Sequence, residues 1–466
     1  MRKEVLRMER VTYRTQETTL LRDFAIQVYE GEIMGLVPEN TYGLSALFDI
    51  LLHNKSLYDG YVYYRNQLVD SWRDMKHIDN RIALIQEKSS LVDGQNAAIN
   101  IFVLRKGFRQ EILKPELYRK QLLPFLEEIQ VDIPIDIPVE KLSSFERILV
   151  ELLRAVVANQ RLIILYEIST VLSDNERFKL YDILRYYTKK GFSFLYITHW
   201  FEEVLPVCQR VAIMKNGKII KIIREEEMNS NTLNLYAREY QLKEHEHGNT
   251  LLQQNDKDVI FEAKLWQGDF IRNFDFQVRE GECLIIQGAE NKTFLEFVRT
   301  LTGSQESCES AYWLHGEYID KINIGKDRRI AIMQERAAQT MLFWGMSYMD
   351  NLCMTIDHRM KGIWRNKKIR KSIEKEYGRL LGEDVFEKRI EELTPIQKYE
   401  LVYARILLQK PEVVFCIQPF KGVDMAHRSR IWELQEMFLK KGIAVVIVAL
   451  NRLDEVCLAD RVVYLR

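Results

Sequence analysis

The sequence has no surplus of either charge. Lys+Arg and Asp+Glu each number 67, so the formal net charge is zero. A nucleic-acid partner gripping the chain as a whole would need a basic footprint, so that class of function is set aside. No apolar run approaches the length that spans a bilayer. The opening residues, MRKEVLRMERVTY, alternate like a strand and hold no apolar block of the signal-peptide kind. A cytoplasmic location is therefore expected, or a peripheral one at the inner face of the cell membrane through a membrane-embedded partner. The six cysteines, at 208, 283, 308, 353, 416 and 457, include no C-x-x-C pair or other metal-ligand spacing. Reduced, mostly buried thiols are expected. Only His245 and His247 lie close together among the histidines, in the polar stretch QLKEHEHGNTLLQQNDKD, which reads as linker.

What is present is a long, well-patterned chain. Its 466 residues suffice for two or more domains, and 47% hydrophobic with 29% charged residues is a globular profile. Self-comparison shows one long repeat. GEIMGLV (31–37) returns as GECLIIQ (281–287), and IALIQE (82–87) as IAIMQE (330–335). KLSSFERILVELLRA (141–155) returns as ELTPIQKYELVYARI (392–406), RLIILYE (161–167) as EVVFCIQ (412–418), and QRVAIMK (209–215) as DRVVYLR (460–466). A single long period means a duplicated domain rather than a solenoid. Within each copy, short apolar runs such as LIIL, FLYIT, VVFC and AVVIV suit buried parallel strands, while ILVELLRAVVA and FKLYDILRYYTKK have helical spacing. The expected fold is α/β: two tandem domains, each a mainly parallel sheet with flanking helices, with its ligand crevice at the carboxyl ends of the strands. The expected boundaries are 1–228 and 257–466, joined by a linker over 229–256.

The order of these segments, from about residue 6 to the C-terminus, resembles the tandem ATP-binding-cassette ATPase subunits of bacterial ribose- and galactose-type monosaccharide importers. The family's phosphate loop GENGAGKST corresponds to PENTYGLSA (38–46), its Q-loop glutamine to Gln86, and its signature LSVGEQQMVEIAKAL to LSSFERILVELLRAV. The strand IIIMDEPT corresponds to IILYEIST (163–170), and the switch histidine of IYISHRLEEI to His199 in LYITHWFEEV. The resemblance implies two P-loop-type nucleotide-binding domains with helical subdomains near 88–140 and 336–391. It implies ATP and magnesium as ligands. It assigns catalytic roles to Glu167, His199 and Gln86, nucleotide contacts to Asn40, Gly43, Ser45 and Ser143, and magnesium contacts to Ser45 and Gln86.

The departures from the family fall on the same sites. A phosphate loop works through inward N–H groups, permissive glycines and a lysine that reaches the outer phosphates. Here Leu44 stands for the lysine, Pro38 lacks an N–H, and Thr41 is β-branched where the family has glycine. Tyr166 stands where the family carries the aspartate that supports magnesium. Phe145 and Ile396 replace the signature glycines of the two copies. In the second copy the loop becomes GAENKTFLEF (288–297). An alignment anchored on Gly281-Glu282 and Gly303 puts Phe294, not Lys292, at the cationic position. Ile417-Gln418 ends the next strand, and Ala449 and Leu450 occupy the switch region. Tyr13 is a candidate for stacking on adenine, with strand packing as the alternative.

Two functions follow from this pattern. One is a degenerate subunit, a pseudo-ATPase that docks on permease subunits or on a regulatory protein. The other is a working ATP-binding subunit that energises sugar import; a nucleotide sensor without hydrolysis lies between them. The resemblance implies that the two halves pair within the chain. It also implies that the helical subdomains receive the permease, and the aromatic and basic segment 101–128 and the basic segment 360–377 are candidate docking faces.

Overall fold

The structure, a computed structural model, describes residues 3–69, 82–102, 115–228, 257–303, 308–320, 324–359, 363–451 and 459–465. The stretch 229–256, expected as linker, lies outside the described residues, as do 103–114 and 360–362 of the candidate docking segments. The chain divides into two compact units, Met1–Glu239 with Asp424–Ala426, and Tyr240–Val423 with His427–Arg466.

The first unit opens on an antiparallel sheet. Its strands are β1 (Glu4–Arg14), β2 (Thr19–Tyr29), β4 (Asp59–Tyr64) and β5 (Gln67–Leu68), in the order β2-β1-β4-β5. Beside it in sequence run β3 (Ile33–Pro38), β6 (Ile82–Gln86), β7 (Leu162–Tyr166), β8 (Ser193–Ile197), β9 (Arg210–Lys215) and β10 (Lys218–Arg224). These form a second sheet, β10-β9-β3-β8-β7-β6, parallel except at the β9–β10 hairpin. Every residue of β3 and β8 is buried, the mark of central strands covered on both faces. The helices are α1 (Leu44–His53), α2 (Ala97–Phe102), α3 (Pro115–Ile129), α4 (Ser144–Val157), α5 (Asp174–Lys189) and α6 (Phe201–Val204). One apolar core takes Leu21, Phe24 and Ile26 from the antiparallel sheet, Leu44 and Leu47 from α1, and Leu36, Ile164 and Ile197 from the parallel sheet.

The second unit repeats the plan. Strands β11 (Val259–Gln267), β12 (Phe274–Arg279), β14 (Glu309–Leu314) and β15 (Glu317–Ile319) make the antiparallel sheet. Strands β13 (Cys283–Gly288), β16 (Ile330–Met333), β17 (Val413–Ile417), β18 (Ala444–Ala449) and β19 (Arg461–Leu465) make a parallel one in the order β16-β17-β18-β13-β19. That order matches β6-β7-β8-β3-β9 of the first unit. The helices are α7 (Asn291–Leu301), α8 (Ala337–Thr340), α9 (Tyr348–Cys353), α10 (Ile363–Leu381), α11 (Pro395–Gln409) and α12 (Met425–Lys440). The runs LIIL, FLYIT, VVFC and AVVIV thus form β7, β8, β17 and β18. Five cysteines are described, and all are buried and unpaired by disulfides. Among the described residues no helix is long and apolar enough to cross a membrane, and no His/Cys/Asp/Glu group could hold a metal ion.

The duplication extends to buried charge. Glu32, just before β3, accepts from the Tyr29 N–H at 2.8 Å and pairs with Arg210 Nε at 2.6 Å, while Arg210 Nη2 donates to the Gln27 carbonyl at 2.8 Å. In the second unit Glu282 accepts from the Arg279 N–H at 2.7 Å and pairs with Arg461 Nε at 3.0 Å, and Arg461 Nη2 donates to the Gln277 carbonyl at 2.6 Å. Each pair holds the edge of an antiparallel sheet to the start of a parallel one. Removing one partner of a buried pair strands the other charge, at a cost of about 3–5 kcal/mol. Glu32→Ala is therefore expected to lower the first unit's unfolding free energy by about 3 kcal/mol in chemical denaturation, and exposed Glu17→Ala to change it by less than about 0.5 kcal/mol.

Candidate functional site

The carboxyl ends of β3, β6, β7 and β8 meet where an α/β sheet places its ligand crevice. Register sets Gln86 opposite Tyr166 and Tyr166 opposite Ile197. The next residue, Glu167, turns into the left-handed region at φ 50°, its N–H donating to the Ile197 carbonyl at 3.0 Å. Its carboxylate accepts the His199 N–H at 2.8 Å. The His199 ring, 3% exposed, places Nδ1 2.8 Å from the Pro38 carbonyl. That contact requires Nδ1 to carry the proton. Glu167, His199 and Gln86 thus sit at neighbouring strand ends, the first two bound to each other.

The segment between β3 and α1 is tied down from within. The Glu39 N–H donates to the Met214 carbonyl at 2.8 Å, the Tyr42 N–H to Asn40 Oδ1 at 3.1 Å, and the Leu44 N–H to the Thr41 carbonyl at 3.2 Å. Asn40 Nδ2 in turn donates to Asn216 Oδ1 at 2.9 Å, and the Tyr42 hydroxyl to the Thr19 carbonyl at 2.7 Å. Three loop N–H groups are therefore engaged with the protein itself. Gly43, at φ 85°, is needed where it stands, because a Cβ there would lie 2.5 Å from the Leu20 carbonyl oxygen. Leu44 opens α1, 3% exposed and part of the apolar core. Ser45 is exposed beside it. At the magnesium-supporting position the Tyr166 ring packs edge-on against Phe48 of α1, centroids 5.1 Å apart. Tyr13 packs against the same core from β1.

Ser143 is the N-cap of α4. Its Oγ accepts from the Glu146 N–H at 3.2 Å, and its own N–H donates to the Glu146 carboxylate at 2.6 Å. Thr394 and Gln397 reproduce this box at the head of α11, at 3.3 and 3.0 Å. Phe145 and Ile396 follow in the two first turns, both half-buried. In the second unit only Ala289 and Glu290 separate β13 from α7, so no phosphate-sized loop is left there. Phe294 is 3% exposed in the core, and Lys292 Nζ stands 5.8 Å from the Phe270 ring centre. Gln418 keeps the left-handed turn of Glu167, at φ 39°, and its N–H donates to the Val448 carbonyl at 3.0 Å. At the switch position Leu450 is a core residue.

Beside this site lies a titratable residue of the LYITHWFEEV segment to which the family resemblance assigns no role. Glu203 is fully buried and accepts hydrogen bonds from Ser169 Oγ and, at 3.1 Å, from the Tyr196 hydroxyl. Burial first, and the nearby Glu167 charge second, raise its pKa from the ordinary 4.5 to about 7. A carboxyl raised in the folded state holds its proton more tightly there than when unfolded. Its stabilising contribution is complete below about pH 4.5 and lost as pH rises through about 7. Glu203→Gln, which mimics the protonated form, should leave stability nearly unchanged at pH 4 and raise it at pH 8 by on the order of 1–3 kcal/mol, read by chemical denaturation at the two pH values.

Comparison with known proteins agrees with the geometry. Residues 21–170 match the ABC transporter family model. A ribose import ATP-binding protein of Clostridium perfringens is 24% identical, the match covering 99% of this chain and 93% of that protein. A galactose/methyl galactoside import ATP-binding protein of the same species is 23% identical over 98% of this chain and 90% of its own length. A ribose import ATP-binding protein of Hahella chejuensis is 24% identical over 99% and 94%. The chain carries an ABC transporter domain over residues 21–170 and is similar, along nearly its whole length, to ATP-binding proteins of ribose and galactose import.

Proposed function

We propose that this chain is a non-hydrolysing subunit of the monosaccharide-import type, with domains 1–228 and 257–466, working as a docking or regulatory partner of membrane permease subunits. Its relatives are ATP-binding proteins of sugar import. The observation that carries the reading is Leu44, a core side chain at the place where the family's lysine reaches phosphate. The residues present do not fit a magnesium triphosphate. The cation is gone, and Tyr166 fills the space of a metal-supporting carboxylate with a ring packed on Phe48. Three loop N–H groups are engaged with Met214, Asn40 and Thr41. Each charge-assisted hydrogen bond lost removes about 1.5–3 kcal/mol of binding. The second unit has neither loop nor carboxylate: only two residues separate β13 from α7, and Gln418 stands at the glutamate position.

Glu167, His199 and Gln86 taken alone favour the alternative, a working ATP-binding subunit. Against it, the Glu167 carboxylate holds the His199 N–H, and the His199 ring faces the Pro38 carbonyl. These bonds give both residues a structural reason to persist. Asn40 and Ser143, the other polar nucleotide-contact candidates, are likewise engaged in local hydrogen bonds. A place at the inner face of the membrane would come from the permease partner.

Calorimetric titration of the full chain with MgATP tests this reading. No saturable heat is expected up to millimolar nucleotide. A dissociation constant in the micromolar range would contradict it.

A further inference from the structure

The second unit contains a cavity of about 420 Å³ beside β16 and α11, reaching Gln334 at the carboxyl end of β16. Ile330, Ile332, Met341, Phe343 and Ile406 supply apolar wall, Thr302, Gln334, Thr355 and Gln409 add neutral polar groups, and Arg405 is the only charged residue among the described ones that line it. Arg405 is 5% exposed. Its Nη2 donates to the Met341 carbonyl at 2.6 Å, and the guanidinium carbon lies 5.9 Å from the Phe343 ring centre. Nη1 is buried without a hydrogen-bond partner among the described residues.

The internal repeat shows what is missing. Arg405 is the counterpart of Arg154 in the first unit. Arg154 faces Glu151 at 3.7 Å and donates to both the carbonyl and the hydroxyl of Ser90. Glu151 in turn accepts from the Ser90 N–H and hydroxyl. At the position of Glu151 the second unit has Val402, fully buried. The arginine has been kept while its internal carboxylate has been replaced by an apolar side chain. Desolvation lowers the Arg405 pKa, with no carboxylate acting in the other direction. A buried cation without an anion is costly, and a guanidinium fork is best completed by a carboxylate.

We propose that this cavity is a binding site for a small organic monocarboxylate, whose carboxylate pairs with Arg405 and whose apolar body lies along Ile330, Ile406 and Phe343. The volume falls within the usual range of small-molecule sites. One cation among otherwise uncharged walls suits a monoanion better than a phosphate dianion. The half-exposed Phe343 and Met354 form an apolar mouth.

The test uses the full chain, with hexanoate as probe and hexanamide as its neutral counterpart, followed by calorimetry and saturation-transfer NMR. Hexanoate is expected to bind, with hexanamide weaker by about tenfold or more. Arg405→Met should weaken hexanoate by about tenfold or more while the chain keeps a cooperative thermal transition. Val402→Glu, which supplies the carboxylate that Glu151 provides in the first unit, should also abolish binding and raise the melting temperature. The proposal is overturned if hexanoate fails to bind, if hexanamide binds equally well, if Arg405→Met binds as the parent does, or if inorganic phosphate displaces hexanoate at equal concentration.

Discussion

His199 links the strand ends on which the first unit's crevice depends. Its backbone N–H holds the Glu167 carboxylate and its ring holds the Pro38 carbonyl, so one residue after β8 joins the ends of β3 and β7. The two contacts engage one oxygen of the Glu167 carboxylate and Nδ1 of the His199 ring. In the second unit the corresponding place holds Leu450, and hydrophobic packing takes over the joining role.

The two units reach the same end by different routes. The first keeps a turn between β3 and α1 but secures it with Asn40, Asn216 and Tyr42 and buries Leu44 beneath it. The second abandons the turn, and α7 starts directly after Glu290. Both keep the Glu–Arg pair at the start of the parallel sheet and the N-cap box at the head of α4 or α11. Features that position strands and helices are therefore duplicated, while features that would gather positive charge are not. The retained Glu–Arg pairs also satisfy carboxylates that are buried, Glu32 and Glu282.

Much of the fold was legible because strand-length apolar runs and a long internal repeat leave few arrangements. LIIL, FLYIT, VVFC and AVVIV fell where parallel strands were expected. The anchored alignment placed Phe294 rather than Lys292 at the cationic position, and the burial of Phe294 accords with it. The environment of the candidate residues was less legible, because hydrogen-bond partners distant in sequence decide it. Nothing near Asn40 announces Asn216, and nothing in LSSF announces that Ser143 caps a helix through Glu146 until the helix start is known. Glu203 stood in a quoted motif, yet its raised pKa depends on burial that one strand and one short helix create together. Arg405 carries its signal in the sequence itself. Aligning the copies sets Val402 against Glu151, which already shows a retained arginine without its carboxylate.

The central claim is that the crevice of the first unit is packed and hydrogen-bonded for structure rather than charged for chemistry. Steady-state phosphate release from MgATP by the purified full chain, compared with its Glu167→Gln variant, tests that claim most directly. Both should remain at the buffer background. Sustained turnover by the parent chain that disappears in the variant would contradict the account.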